Sequence, residues 1–348
     1  MLQLENTKFC WAWDRVYVKA NGRIPCWCDY GEKHTVLHKP IDGNDFIRDI
    51  VNSEEMRKMR TSILRKNKYY IKECKNCCCM YDINRGKHSR FDDHEEVDIQ
   101  EKVDKAKKFL DHYSNAIRPD GWINHISEIQ IEPSFPCNLK CPGCLQGRHA
   151  NPLSTEPKPH ILPLEWFKRI IDSIIYNETK LQRIAFVGRG EPTLHKNLGA
   201  MILYARKAMP NLVMSMDTNS NQQFLDEYSE LTWINCSIDG SNQDSYAKYR
   251  RGGNFKKAMQ FLKDSSIKKG KCQIKWKYIL FDTNDDVESM NVAQKISKDI
   301  GIDELLFVLT HAGGGDVNPS KKFTKLKDVE EYIKDNKIFN NTHVLHAT

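Results

Sequence analysis

Residues 129–144 read Ile-Gln-Ile-Glu-Pro-Ser-Phe-Pro-Cys-Asn-Leu-Lys-Cys-Pro-Gly-Cys, which places three cysteines just after a short alternating segment. The alternation of apolar and polar residues predicts a β-strand. The C-x3-C-x2-C spacing brings the thiolates of Cys137, Cys141 and Cys144 into one loop. Three thiolates suit a [4Fe-4S] cluster in which one iron stays open to bind another molecule, whereas a structural zinc ion normally needs a fourth protein ligand.

A glycine-bearing turn follows a second apolar strand further along the chain. Residues 186–195 read Phe-Val-Gly-Arg-Gly-Glu-Pro-Thr-Leu-His. In the cysteine loop and in this turn the chain resembles the radical S-adenosylmethionine (radical SAM) enzymes, and the three cysteines match the family's cluster ligands one for one. The residues that match the family's Gly-Glu-Pro motif, which lies along the methionine moiety of SAM, are Gly188, Gly190, Glu191 and Pro192.

The resemblance implies a reductive cleavage of SAM. The open iron chelates the amino and carboxylate groups of SAM, one electron breaks a carbon–sulfur bond, and a 5'-deoxyadenosyl radical removes a hydrogen from the substrate. The implied electron source is a low-potential donor of the flavodoxin or ferredoxin type. The chain departs from the family at Gly143, where most members have an aromatic residue that packs near the adenine.

Short apolar strands alternate with amphipathic helices from residue 128 to residue 310. The predicted strands are 128–133, 182–187, 211–217, 232–238, 272–280 and 304–309. The predicted helices are 164–177, 196–208, 221–229, 255–269 and 287–300. Six β/α units predict an α/β fold with parallel strands joined by helical crossovers. Radical SAM proteins share such a partial (β/α)6 TIM-like barrel, and barrel active sites form at the carboxyl ends of the strands.

Polar residues follow the third and fourth predicted strands. Asp217-Thr-Asn-Ser220 is similar to the family's Thr-Asn-Gly segment, and residues 246–255 resemble the stretch that contacts the SAM ribose and carboxylate. The SAM-binding residues that this resemblance implies are Asn219, Ser237 and Arg250. The alternative interpretation is that each of these polar side chains makes a turn or a helix cap at a strand end.

The sixth predicted strand is followed by a glycine loop, His311-Ala-Gly-Gly-Gly-Asp316. This loop lacks the Gly-Lys-Ser/Thr ending of a phosphate-binding loop, and we expect it to be a flexible lid or a backbone contact to SAM. Cys236 and Cys272 stand alone within predicted strands, which favours buried hydrophobic positions over metal ligation. Trp276 in the fifth predicted strand is expected in the core.

The first eighty residues contain a second group of cysteines. Cys10 precedes a predicted strand and an Asn21-Gly22 turn that indicates a hairpin, and a helical stretch over 46–63 leads to a cysteine-rich run at 74–79. This arrangement resembles the SPASM domain, an auxiliary iron–sulfur module of many radical SAM enzymes. The matching ligands of an auxiliary [4Fe-4S] cluster are Cys10, Cys26, Cys74 and Cys77. A four-cysteine zinc site is the alternative, because zinc accepts the same thiolates.

The order of these parts differs from the family's usual one, because a SPASM module ordinarily follows the barrel. We predict a small cysteine-rich, SPASM-like α+β domain over residues 1–80, a charged helical connector over 81–127, the partial barrel over 128–310 and a C-terminal extension over 311–348. One short helix is expected in that extension, near 324–335. The remaining N-terminal cysteines, which could exchange with the named ligands or serve a second auxiliary cluster, are Cys28, Cys78 and Cys79.

Composition and charge narrow the class of protein. The chain has 348 residues and 12 cysteines, whose tight clusters indicate metal ligation rather than disulfides. No apolar stretch is long enough to span a bilayer and the amino terminus lacks a signal-peptide pattern, so we expect a cytoplasmic protein. The formal net charge of +7 permits an acidic substrate, a nucleotide or nucleic acid, but interspersed acids favour a solvated basic surface.

The predicted function is a radical SAM enzyme that modifies a peptide or protein. SPASM-bearing relatives also act on sugars and nucleotide-derived small molecules, and a shared fold does not determine the substrate. The first alternative is therefore a dehydrogenase or epimerase of a small molecule or nucleotide. The second is a non-catalytic iron–sulfur protein that carries electrons or binds nucleic acid, against which the intact Gly-Arg-Gly-Glu-Pro turn argues.

Overall fold

The computed structural model of this chain describes most residues beyond 117 and shorter segments before it. The described residues are 8–10, 14–25, 45–64, 80–82, 87–88, 117–155 and 157–346. No helix within these ranges has the length and apolar character that crossing a bilayer requires. The chain divides into two compact units, the first made of residues 1–130 and 165–183 and the second of residues 131–164 and 184–348.

Before residue 130, the described part of the first unit contains a small antiparallel sheet and two helical segments. Strand β3 (Met80–Asp82) lies between β1 (Lys8–Cys10) and β4 (Lys87–His88) and pairs with both in antiparallel register. A π-helix over Phe46–Val51 is followed by helix α1 (Glu54–Leu64), which agrees with the helical stretch predicted from residue 46.

The hairpin predicted near the amino terminus is only partly confirmed. Strand β2 (Arg15–Val18) leads into a tight turn in which Gly22 has φ +74°, and a 2.9 Å hydrogen bond from the Lys19 amide closes the turn. Residues 23–25, the described part of the expected return strand, are not in a strand. Strand β2 belongs to a second, larger sheet, in which its neighbour is β5 (His125–Ile131). A segment distant in the chain therefore pairs with β2 in place of the expected return strand of the hairpin.

The second unit is built on a parallel sheet. Five strands pair in chain order and in parallel, namely β7 (Val213–Thr218), β8 (Trp233–Ser237), β9 (Gln273–Ile279), β10 (Glu304–Leu309) and β11 (Thr342–His346). Strand β7 also neighbours β6 (Lys180–Phe186), whose other neighbour is β5. Among the described strands β11 forms an edge, so the sheet is open, as in a partial barrel.

Helical crossovers join the strands, because parallel neighbours cannot be linked by a tight turn. The helices are α2 (Leu145–Arg148), α3 (Leu164–Tyr176), α4 (Leu198–Ala208), α5 (Gln243–Tyr249), α6 (Phe255–Lys268), α7 (Val287–Ile300) and α8 (Leu326–Asp335). The Asn254 side chain accepts from the Lys257 amide and starts α6. Gly301, with φ +75°, ends α7 in the left-handed conformation that glycine adopts readily.

One face of the second unit's sheet packs against helices. Trp276 and Tyr278 of β9 are fully buried, and Tyr278 packs edge-on against Phe307 with ring centroids 5.6 Å apart. Phe307 in turn contacts Tyr332 of α8. Lys275, the residue before Trp276, is half-buried and lies on the opposite face of the strand. The predicted core position of Trp276 and the predicted alternation of buried and exposed side chains in β9 are therefore confirmed.

The strands were easier to predict than their connections. All six predicted strands are present, each within three residues of its predicted bounds. The helix predicted over 221–229 is wrong, because that segment contains a 3₁₀ turn over Asp226–Glu230 instead. Helix α5 was not predicted, and neither was β11, which extends the sheet beyond the helix expected in the last forty residues.

Candidate active site

The cysteine loop leaves the carboxyl end of β5. Cys141 is buried, while Cys137 and Cys144 are half-buried. Cys144 is the residue that precedes helix α2, and a Cβ atom on Gly147 in that helix would lie 2.1 Å from the Cys141 carbonyl oxygen. Glycine at 147 therefore lets the helix close tightly over the loop and holds the three thiols in one compact segment.

Three N–H groups point at the sulfur atoms. The Leu139 amide lies 3.4 Å from Cys137 Sγ, Asn219 Nδ2 lies 3.7 Å from the same atom, and Arg250 Nη1 lies 4.0 Å from Cys141 Sγ. Such donors stabilise negative charge on sulfur and are typical around iron–sulfur clusters. Burial raises the pKa of Cys137 to about 12, so its thiolate needs the charge of a metal centre. This donor set fits a metal–thiolate cluster.

Among the described residues, no group of three or more His, Cys, Asp or Glu side chains is placed to hold a metal ion.

The glycine turn after β6 packs against the chain that enters the cysteine loop. A Cβ atom on Gly188 would lie 2.4 Å from Cγ of Glu132, and one on Gly190 would lie 2.1 Å from the Ser134 carbonyl oxygen. The Glu191 amide donates to the Pro136 carbonyl at 3.0 Å. Gly190 is thus required by the close approach of two backbones, Gly188 leaves room for the Glu132 side chain, and the turn lies along residues 132–136.

Glu191 is buried and anchors this turn to the end of β7. One carboxylate oxygen accepts from the amide of Thr193 at 3.1 Å, from its hydroxyl at 2.6 Å and from the Thr218 hydroxyl at 2.7 Å. The other oxygen accepts from the Asn219 amide at 2.8 Å. Pro192 opens the short 3₁₀ turn that Glu191 caps. Burial raises the pKa of Glu191 although these four donors act in the opposite direction.

Asn219 connects the Glu191 anchor to the cysteine loop. Its Nδ2 donates to Asn138 Oδ1 at 2.8 Å and approaches Cys137 Sγ, while its backbone amide binds Glu191. Its Oδ1 accepts from the Asn221 amide at 2.9 Å. The side chain therefore has the turn role named as the alternative, and the same residue also reaches a cluster ligand.

Arg250 and Asp239 form a buried ion pair beside Cys141. Arg250 Nε lies 2.5 Å from Asp239 Oδ2, and the other carboxylate oxygen accepts from the Ile279 amide at 2.7 Å. Burial of the guanidinium acts to lower the pKa of Arg250, but the Asp239 carboxylate, together with the nearby Cys141, Tyr249 and Tyr246 groups, raises that pKa above its ordinary value. Arg250 is therefore a fixed positive charge next to a cysteine of the loop.

Part of the sequence matches a known protein family. The profile of the Radical SAM superfamily matches residues 131–291, which include the cysteine loop, the glycine turn and the Asp239–Arg250 pair. Residues 131–291 are a radical SAM superfamily domain. A [4Fe-4S] cluster and SAM are the cofactors that this superfamily implies, and the open parallel sheet agrees with its partial barrel.

Curated relatives match about half of the chain. A GTP 3',8-cyclase of Hydrogenovibrio crunogenus is 26% identical over 183 residues, which are 49% of this chain and 52% of that protein. A GTP 3',8-cyclase of Peptoclostridium acidaminophilum is 25% identical over 193 residues, covering 53% of this chain and 56% of that protein. The chain thus spans about half the length of the curated relatives it matches.

Solved structures show partial likeness. Streptococcus suis SuiB bound to precursor peptide SuiA has a TM-score of 0.48 and 17% identity, over 72% of this chain and 55% of that one. A radical SAM methyltransferase from Sphaerobacter thermophilus has a TM-score of 0.43 and 12% identity, over 61% of this chain and 64% of that one.

The remaining predicted site residues of the chain fall into two groups. Ser237 of the radical SAM domain is half-buried at the carboxyl end of β8, next to Lys277 in the sheet register. Cys10 lies in β1, but its side chain is outside the description. The other predicted auxiliary-cluster ligands, which lie outside the described residues, are Cys26, Cys74 and Cys77. Cys28, Cys78, Cys79 and most of the predicted connector lie outside them too.

Sequence reasoning missed three residues that hold the radical SAM domain's site together. Glu132 accepts from the Arg189 amide at 2.7 Å, Thr218 binds Glu191, and Asp239 pairs with Arg250. Each lies at, or within two residues of, the carboxyl end of an apolar strand. The expectation that active-site residues follow the strands, which pointed to Asn219, could therefore also have pointed to these three. Their partners are distant in the chain, and no local pattern names them.

Proposed function

We propose that this chain is a radical SAM enzyme that reductively cleaves SAM and abstracts a hydrogen atom from a peptide or protein. The observation that carries the proposal is the meeting of the glycine turn with the cysteine loop, where Glu191 binds the Pro136 carbonyl next to Cys137. With cluster and SAM bound, the site would supply one-electron cleavage of a carbon–sulfur bond, which leaves methionine and a 5'-deoxyadenosyl radical that takes the substrate hydrogen.

The chain's own residues would have separate roles in holding these groups. Cys137, Cys141 and Cys144 would bind the cluster, and the N–H groups that face their sulfurs would stabilise its negative charge. Arg250 carries a fixed charge suited to the carboxylate of SAM, and Ser237 is the proposed ribose contact. The residues that would position the methionine moiety are Gly188, Gly190, Glu191 and Pro192, supported by Asn219.

The test of this proposal is anaerobic reconstitution followed by reduction in the presence of SAM. Mass spectrometry should detect 5'-deoxyadenosine, and replacing Cys137, Cys141 and Cys144 together by alanine should abolish it and remove about four irons per chain. Cys272→Ala is the matched control, because this buried cysteine is a free thiol outside the loop. Formation of 5'-deoxyadenosine by the triple variant would overturn the proposal.

The proposed auxiliary cluster is held by Cys10, Cys26, Cys74 and Cys77. It would accept the electron left after hydrogen abstraction or brace its domain, and the whole protein would then bind about eight irons. Replacing these four cysteines by alanine should remove about four irons and leave the SAM-binding cluster intact. Loss of one zinc ion with unchanged iron would establish the structural zinc site instead.

A nucleotide is the second candidate substrate, and the names of the curated relatives favour it. The two candidates differ in what stimulates SAM cleavage and in what changes mass. GTP should raise 5'-deoxyadenosine formation and be converted itself if the substrate is a nucleotide. If the substrate is a peptide, a peptide-sized fraction of the source cells should raise 5'-deoxyadenosine formation and should contain a peptide whose mass changes. The reduction requires an electron donor, for which we propose a flavodoxin or ferredoxin.

A further inference from the structure

The glycine loop after β10 is a defined turn rather than an open lid. The Gly314 amide donates to the Val317 carbonyl at 2.9 Å, and the Val317 amide donates back to Gly314. Gly315 between them has φ +63°, a left-handed conformation that glycine adopts without strain. These reciprocal bonds give the loop a fixed shape, so its contacts with the rest of the site have structural meaning.

The loop lies directly against the cysteine loop. A Cβ atom on Gly314 would come within 2.4 Å of the Gly143 nitrogen and of the Pro142 carbonyl oxygen. The obstacle is backbone on both sides, which cannot move aside as the end of a flexible side chain can. Gly314 therefore has to be glycine because two main chains meet there, at the segment between Cys141 and Cys144.

Tyr249 flanks the same segment from helix α5. A Cβ atom on Gly143 would lie 2.7 Å from the Tyr249 hydroxyl oxygen and 3.3 Å from the Gly313 carbonyl oxygen. The Tyr249 ring is held by Phe281, with centroids 4.2 Å apart and planes 32° apart. The space that a side chain at 143 would need is thus occupied by a ring whose own position is fixed.

A backbone hydrogen bond and an exposed ion pair add to these contacts. The Lys140 amide donates to the Arg251 carbonyl at 2.8 Å, and the Arg251 guanidinium pairs with Asp316 of the glycine loop. Because both side chains of the ion pair are largely exposed, it contributes little to stability. The close backbone contact at Gly314 and the Tyr249 ring remain the main constraints.

We infer that Gly314 and Tyr249 are positioning residues that hold the Pro142–Gly143 segment from outside and so keep Cys141 and Cys144 at the spacing that a cluster needs. This inference rests on the proposed function, in which these cysteines bind the catalytic cluster. Ligands held by a rigid surround release metal slowly, whereas a loosened loop lets each ligand dissociate more often. The glycine loop and α5 therefore retain the cluster without contributing a ligand.

The first experiment compares Gly314→Ala with the parent after anaerobic reconstitution. A ferrous chelator is added, and the rate of cluster loss is measured as the decay of the paramagnetic signal of the reduced cluster. The signal that is followed is the one that changes when SAM is added, because it belongs to the SAM-binding cluster. We expect loss to be faster by about tenfold, which corresponds to about 1.4 kcal/mol of lost restraint. Gly301→Ala is the matched control, because it strains a left-handed glycine remote from the loop and should lower the melting temperature without changing this rate.

The second experiment is a double-mutant cycle on the same rate. Gly143→Ala alone should accelerate cluster loss, since its methyl group meets the Tyr249 hydroxyl. Tyr249→Phe removes that oxygen, so the double variant should lose its cluster no faster than Tyr249→Phe alone. If the rate increases of the two single variants multiply in the double variant, the two residues do not interact and the inferred contact is wrong.

Failure of the inference differs from failure of the proposed function. The inference alone would be overturned if the parent binds a SAM-responsive cluster and the Gly314→Ala variant loses its cluster at the same rate as the parent. A reconstituted parent without a SAM-responsive cluster would overturn the proposed function and the inference with it.

Discussion

Two segments at the carboxyl ends of the strands hold buried ionisable groups in different ways. The turn over Gly188–His195 surrounds its buried carboxylate and imidazole with neutral donors and acceptors. The segment over Ile238–Arg250 instead pairs a buried carboxylate with a buried guanidinium. The two segments therefore differ in what each would lose if one partner were removed.

Neutral partners divide the cost of burial among several bonds. Glu191 accepts from four N–H or O–H groups, and His195 uses both ring nitrogens, with Nε2 2.7 Å from the Leu162 carbonyl oxygen and Nδ1 accepting from the Asn197 amide. Removal of one neutral partner leaves the others in place. We expect graded losses of about 0.5–1.5 kcal/mol per bond in this turn.

A buried ion pair concentrates the cost in one interaction. Asp239 is fully buried and Arg250 nearly so, and each partner offsets the desolvation of the other. Removing one charge leaves the other buried without compensation, which costs more than the pair itself contributes. The segment after β8 should therefore be far more sensitive to single substitutions than the turn after β6.

The largest effect is expected for Asp239→Asn. Asparagine keeps an oxygen for the Ile279 amide but removes the charge that faces Arg250, so the free energy of unfolding should fall by about 3–5 kcal/mol. Chemical denaturation of the anaerobic apoprotein measures this change. Arg250→Leu should cost a similar amount, and the double variant should cost less than the sum of the two. Additive losses would contradict direct pairing.

Glu191→Ala should have the next largest effect, on SAM affinity. Loss of the carboxylate releases the turn from Thr218 and Asn219, and a charge-assisted hydrogen bond contributes about 1.5–3 kcal/mol, so SAM binding should weaken about tenfold to a hundredfold. Anaerobic calorimetry of the reconstituted protein measures the affinity. The iron content should stay at the parent's level.

Two results would argue against this role for Glu191. Equal SAM affinities would mean that the turn is not at the cofactor, and lost iron would mean that the residue supports the fold of the cysteine loop. Glu288→Ala is the control for removal of a carboxylate, because Glu288 is exposed in the first turn of α7.

A smaller effect is expected for Thr218→Val. Valine keeps the shape of threonine but removes one of the hydroxyls that bind Glu191, which should lower the free energy of unfolding by about 0.5–1.5 kcal/mol. Thr324→Val is the matched control, since Thr324 is exposed and its hydroxyl makes only a 3.5 Å contact. A cost at Thr218 as large as that of Asp239→Asn would show that the two segments do not differ as described.

The smallest effect concerns His195 and pH. Burial lowers the pKa of His195 below its ordinary 6.5, so the unfolded chain takes up a proton before the folded one does. The stability that neutral His195 contributes is therefore present above pH 6.5 and is lost as the pH falls through the folded pKa, with a slope of at most about 1.4 kcal/mol per pH unit.

His195→Asn tests this pH dependence. Asparagine retains an acceptor for the Asn197 amide and does not titrate, so the stability difference between parent and variant should shrink as the pH falls from 7.5 to 5. Urea denaturation across this range measures the difference. A constant difference would mean that His195 protonates equally in the folded and unfolded chain.

Local patterns were enough to predict much of this molecule. Short apolar strands and the amphipathic pattern of the helices identified the strands of the second unit and helices such as α7, because burial of one face imposes a period on the sequence itself. The C-x3-C-x2-C loop and the glycine turn could be recognised for a similar reason, since their chemistry depends on residues close in the chain. Helix α5 is too short to carry such a pattern, and β11, although as long as β8, contains only two apolar residues in Thr-His-Val-Leu-His and is partly exposed at the edge of the sheet.

Patterns within single segments are therefore sufficient to predict the kind of domain, its strands and the candidate cluster ligands. The folded chain is needed to show that Glu191 meets Thr218, that Asp239 pairs with Arg250, and that Gly314 lies against Gly143. These contacts join residues that follow different strands, and the chain brings them together only because parallel strands align their carboxyl ends along one edge of the sheet. No spacing within a single segment encodes which of those residues touch.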